Sequence, residues 1–85
     1  MTWRLETTKS VQKSLRKLPA KDHERIAIAF KELEKNPFGG DVVRLHSGKA
    51  AWRRRVGSYR IFFDLYERLL VVHVIAVERR TSTTY

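Results

Sequence analysis

At 85 residues the chain has room for one domain, residues 1–85, with a modest core, and its 42% apolar content is that of a folded chain rather than a disordered one. It has no cysteine, which excludes disulfides and thiolate metal centres, and its three histidines, His23, His46 and His73, are too scattered to form a ligand motif, so no metal or other cofactor is expected. Eighteen Lys and Arg stand against nine Asp and Glu, a net charge of +9, which points to a polyanionic or acidic partner. No apolar run reaches the length of a membrane span, and Met1-Thr2-Trp3-Arg4 lacks the apolar core of a signal peptide, so a cytoplasmic protein without membrane contact is expected.

In chain order, residues 2–6 alternate polar and apolar, and Trp3 and Leu5 mark a short strand. Thr7 or Thr8 suits the N-cap of a helix whose apolar stripe is Val11, Leu15 and Leu18. Leu18-Pro19 ends that helix, because the residue before proline avoids the α region. A second helix begins at Ala20 to Asp22 and runs to about Lys35, with Ile26, Ala29, Phe30 and Leu33 as its stripe and Asn36-Pro37 as its stop. Two helices with so short a link read as a hairpin that covers one face of a sheet.

Residues 36–49 are loop-rich, and Val42, Val43 and Leu45 anchor a loop or a short strand. Trp52 to Phe63 then alternates like two strands joined at Gly57-Ser58. Tyr66-Glu67-Arg68 makes a turn into Leu69 to Val77, which is nearly all apolar and β-branched and reads as a central strand. The order β-α-α-β-β-β predicts an α+β fold, a mostly antiparallel sheet with the two helices on one face and an open face on the other.

The hairpin carries the charge. Strand alternation places Arg53 and Arg55 on one face and Trp52, Arg54 and Val56 on the other. In the second arm Tyr59, Ile61 and Phe63 form the apolar face and Arg60 points away from it. Arg53, Arg55 and Arg60 therefore converge on the open face, where planar, bidentate guanidinium groups suit phosphate oxygens. A solvated or edge-protecting face is the alternative use of the same residues. His73, inside an apolar strand, reads as a packed residue rather than a catalytic one.

The order of elements, Leu18-Pro19 between the helices, the exit Asn36-Pro37-Phe38-Gly39-Gly40 and the hairpin Trp-Arg-x-Arg-Val-Gly-x-Tyr-Arg resemble the RelE/ParE superfamily of bacterial toxins. So does a strand ending in Arg79-Arg80 with Tyr85 after it. The resemblance implies the toxin of a type II toxin–antitoxin pair, with a cognate antitoxin as partner. RelE-like members act with the ribosome and cut mRNA in the A site; ParE-like members share the fold and poison DNA gyrase without being enzymes. By the RelE-like pattern Arg53, Arg55, Arg60, Arg80 and Tyr85 are the candidate catalytic residues, with Arg79 replacing Arg80 if the register slips by one. Arg44, Lys49, Arg54 and Arg79 are the candidate RNA-binding residues.

The chemistry implied is metal-free RNA cleavage by the 2′-OH. The enzyme must align that nucleophile, offset charge on the phosphorane and manage two protons. The arginines suit the second task; arginine is a poor acid or base, and a phenol among cations, Tyr85, is the better candidate base.

Overall fold

A computed structural model of the chain describes residues 2–79. Its elements are β1 (Arg4–Thr7), α1 (Lys9–Arg16), α2 (Ala20–Lys35), β2 (Val42–Arg44), β3 (Trp52–Val56), β4 (Tyr59–Tyr66) and β5 (Val71–Arg79). The five strands form one sheet in the order β1-β5-β4-β3-β2. β2 to β5 are antiparallel neighbours, while β1 lies parallel to β5 at one edge. A parallel pair needs a long crossover, and here both helices and three strands lie between its members.

Thr8 caps α1: its hydroxyl accepts a hydrogen bond from the Val11 N–H at 3.1 Å. α2 starts directly after Pro19, has no side-chain cap and carries Asp22 in its first turn, where the helix dipole favours a carboxylate. Its exit is an Asx turn in which the Asn36 Oδ1 accepts from the Phe38 N–H at 3.1 Å. Both helices lie on one face of the sheet, α1 against β5 and α2 against β1 and β3.

The core follows the expected stripes. Val11, Ile26, Ala29 and Leu33 from the helices meet Tyr59, Ile61 and Phe63 of β4 and Val72 and Val74 of β5. Fully burying an Ile, Leu or Phe side chain contributes about 1.5–3 kcal/mol, so this layer supplies the main driving force for the fold.

Two expectations need correction. Val42–Arg44 is a true strand paired with β3, so the order is β-α-α-β-β-β-β. The last strand begins at Val71 rather than Leu69. Leu69 and Leu70 belong to the turn, held by Leu69 N–H to Tyr66 O and Leu70 N–H to Glu67 O bonds. Leu70 has φ 54°, and Leu69 is 70% exposed. Pairing Tyr66 with Val71 leaves four residues for that turn, and two of them are leucines.

Candidate nucleic-acid interface

The site is built by the β3–β4 hairpin. Gly57 opens its two-residue turn at φ 58°, the left-handed region that glycine enters without steric cost. The turn sets Val56 opposite Tyr59, and from there Arg55 falls opposite Arg60 and Arg53 opposite Phe62. Direct cross-strand neighbours share a face. Arg53, Arg55 and Arg60 therefore stand together on the face away from the helices, as the alternation predicted.

Arg55 is exposed, whereas Arg53 and Arg60 are half-buried along the sheet. The Nε atoms of Arg53 and Arg60 are buried and have no hydrogen-bond partner among the described residues. Buried polar atoms are normally satisfied, and a third Nε in the same condition, that of Arg54, lies on the opposite face of the sheet. Arg55 Nε lies 3.7 Å from the Asp41 carboxylate, with both side chains about half exposed, which makes a weak pair.

The acidic groups of this face are engaged. Asp64 accepts the Ala51 N–H at 2.8 Å, and this bond ties the β2–β3 loop to β4. Glu78, opposite Arg60 on β5, is ion-paired with Lys49 from the same loop. The Lys49 Nζ also lies 5.4 Å from the centroid of the Phe62 ring. His73, half-buried, lies opposite Asp64 with its ring 6.0 Å from that of Tyr66.

Of the four expected RNA-binding cations, only Lys49 reaches the arginine face. Arg54 lies on the helix face, where its guanidinium pairs with Glu32 of α2 and its side chain is only 12% exposed. The 36–41 loop closes on it: a Cβ at Gly40, whose φ is 76°, would come within 2.8 Å of the Arg54 guanidinium carbon. Glu32, Lys35, Asn36, Gly39, Gly40 and Arg54 line a depression of about 350 Å³ there. Arg54 thus clamps β3 to α2. Arg44 lies across from Trp52, with its guanidinium 5.2 Å from the ring centroid, also on the helix side. Arg79 lies across from Tyr59 and 5.9 Å from its ring. Arg80 and Tyr85 lie outside the described residues.

Tyr59 carries a clear perturbation. Its hydroxyl donates to the Asp22 carboxylate at 2.8 Å. That hydrogen bond, then burial, then the charge of Asp22 raise its pKa above the ordinary tyrosine value, and Arg79 pulls the other way. The bond fastens the start of α2 to the turn end of the hairpin.

Strand alternation already sends Phe62 to this face beside Arg60, whereas Glu78 is a part of the face that the sequence reading left unassigned. A register shift between Phe62 and Phe63 hides Glu78. In a regular strand Glu78 would share the helix face with Val72 and Val74; the bulge gives β5 one extra residue and turns Ala76 and Glu78 outward. The same shift turns Arg79 toward the helices.

The assembled face carries three guanidinium groups, two of them with a buried Nε that has no partner among the described residues, an arrangement suited to the oxygens of a phosphodiester. No described helix is long and apolar enough to cross a membrane.

The family model for the ParE toxin of type II toxin-antitoxin system, parDE, matches residues 5–83. No curated protein matches the chain. Among solved structures, the archaeal RelE–RelB complex from Pyrococcus horikoshii is similar at TM-score 0.84 and 26% identity, covering 98% of this chain and 100% of that one. The RelBE2 toxin–antitoxin complex of Mycobacterium tuberculosis is similar at TM-score 0.82 and 21% identity, over 94% of this chain and 93% of that one. The isolated RelE toxin of E. coli follows at TM-score 0.80 and 19% identity, over 95% and 87%. The last two likenesses bear on the fold alone.

Proposed function

The chain belongs to the ParE toxin family of type II toxin–antitoxin systems, within the RelE/ParE superfamily, and from that premise we propose that it is a ribosome-dependent endoribonuclease that cuts mRNA in the A site and stops translation. The observation that carries this reading is the convergence of Arg53, Arg55 and Arg60 on one open sheet face, with buried donors that lack partners. Arg53 and Arg60 each keep a buried Nε without a partner among the described residues, and Arg55 has only a weak pair with Asp41, which leaves donors for phosphate oxygens.

In the proposed reaction the 2′-oxygen of one nucleotide attacks the adjacent phosphorus. The bond from phosphorus to the 5′-oxygen of the next nucleotide breaks, leaving a 2′,3′-cyclic phosphate and a free 5′-hydroxyl. Arg53, Arg55 and Arg60 hold the phosphate and offset the charge that grows on its oxygens. By the RelE-like resemblance, Arg80, next in sequence after the last strand, is given the same task. Tyr85 takes the 2′-OH proton, and the departing 5′-oxygen takes up a proton from solvent water. The ribosome orients the mRNA, which supplies the alignment that a small platform lacks.

The partner is a cognate antitoxin. The similar archaeal structure was solved as a RelE–RelB complex, and a net charge of +9 favours an acidic or amphipathic chain that folds on binding. Expression without that partner arrests growth, and co-expression relieves it.

A second reading, a non-enzymatic DNA gyrase poison, is favoured by the name of the matching family. Primer extension on cellular mRNA during expression separates the two. New 5′ ends confined to translated regions support the endoribonuclease; intact transcripts with trapped gyrase–DNA breaks support the gyrase poison.

A further inference from the structure

Phe62 is a large aromatic residue on the wrong face for a core. It is half-buried, yet it is not among the side chains packed on the core cluster. Its cross-strand neighbours are Arg53 on one side and Ala76 on the other. The small Ala76 side chain leaves the flank of the ring uncrowded, and Arg60 lies two residues along the same strand on the same face. Among the described residues, the cation over the ring is Lys49, which is ion-paired with Glu78.

An apolar ring set among arginines on a solvent-facing sheet has little value for folding. It has a direct use beside a phosphate-binding platform, because every nucleobase offers a π-face and stacks on an aromatic side chain. On the strength of the RNA-binding reading above, we infer that Phe62 is a nucleobase-binding subsite for single-stranded RNA, and that Lys49 and Glu78 form its removable cover. A base stacks on the ring in the place Lys49 occupies. Lys49 leaves Glu78 and turns to a phosphate of the incoming strand, so its charge stays paired throughout. The Ala51–Asp64 bond keeps the base of the loop fixed while its tip moves.

The test measures fluorescence anisotropy of a labelled short 2′-O-methyl oligoadenylate, which resists cleavage, against purified chain at low salt. Phe62→Leu removes the π-face and keeps an apolar side chain; Phe62→Trp keeps and enlarges the π-face. Leu is expected to weaken binding roughly 5- to 100-fold, and Trp to bind at least as tightly as the wild type. Arg60→Ala runs beside them to separate this inference from the reading it rests on. If Arg60→Ala weakens binding while Phe62→Leu and Phe62→Trp match the wild type, the stacking subsite is overturned and the phosphate platform stands. If the wild type does not bind, or neither Arg60→Ala nor Phe62→Leu changes binding, both fall. The cover is tested by Glu78→Gln, which frees Lys49: tightening that is larger in the wild type than in Phe62→Leu supports it, and equal tightening in both overturns it.

Discussion

Arg55 and Arg60 stand directly opposite each other across the β3–β4 hairpin. Like charges in this position destabilise a sheet by roughly 0.2–1 kcal/mol. The neighbouring carboxylates do little to offset it, since Asp41 makes only a long contact with Arg55 and Glu78 is taken by Lys49. The proposed phosphate-binding role gives this repulsive pair a use.

Arg60→Gln is therefore expected to reduce mRNA cleavage on the order of 10²–10³, the usual loss when one oriented donor is removed from a developing charge. Its stability is expected to be unchanged or slightly higher, because the repulsion with Arg55 is relieved. Cleavage assays and urea unfolding on the same preparation check both halves. A variant that loses stability and activity together would indicate a structural role for Arg60.

Arg54→Ala is expected to behave in the opposite way. Arg54 is nearly buried and tied to Glu32, so its removal is expected to lower stability by roughly 1–3 kcal/mol. Cleavage at a temperature where the variant stays folded is expected to match the wild type, because the side chain lies on the helix face. A stable but inactive variant would return Arg54 to the RNA surface.

Tyr59 gives the protein a specific alkaline limit. Its pKa is raised in the folded state, chiefly by the hydrogen bond to Asp22, above the value of about 10 for a free tyrosine. The folded chain thus binds this proton more tightly than the unfolded chain. The stability from the Tyr59–Asp22 bond is present in full below about pH 10 and is lost as pH rises through the raised folded value. Tyr59→Phe is expected to be less stable than the wild type at neutral pH, and the gap is expected to close above pH 10. Denaturant unfolding of the two proteins across that range measures the gap directly.

Tyr85→Phe keeps the ring and deletes the hydroxyl. If the phenol takes the 2′-OH proton, single-turnover cleavage is expected to fall by about 10²–10⁴ with ribosome binding retained. Full activity in the Phe variant together with loss in Tyr85→Ala would assign the ring to stacking instead.

Most of the fold was legible because burial imposes periodicity. Val11, Ile26, Ala29 and Leu33 announce the helix faces, and Tyr59, Ile61 and Phe63 announce the strand face, since each pattern has one way to reach the core. The arginine platform was legible for the same reason: in a two-residue hairpin the parity of the apolar face also sets the parity of Arg53, Arg55 and Arg60. Three things were hidden. The bulge opposite Phe62 reverses the parity of β5 and so places Glu78 and Arg79, and no residue type signals it. The exposed Leu69 looked like strand because hydropathy does not distinguish a turn leucine from a buried one. Arg54 looked like part of a basic run because its partner, Glu32, is remote in sequence and meets it only through packing.

The central claim is that the arginine face cleaves mRNA on the ribosome. The most direct measurement places purified chain with ribosomes programmed with a defined mRNA and an empty A site, and maps the ends of the RNA over time. The account predicts a single cut within the A-site codon, absent with naked mRNA at the same concentration and lost in Arg60→Gln. An intact A-site codon with wild-type protein bound to the ribosome, or a cut of equal rate in Arg60→Gln, would contradict it.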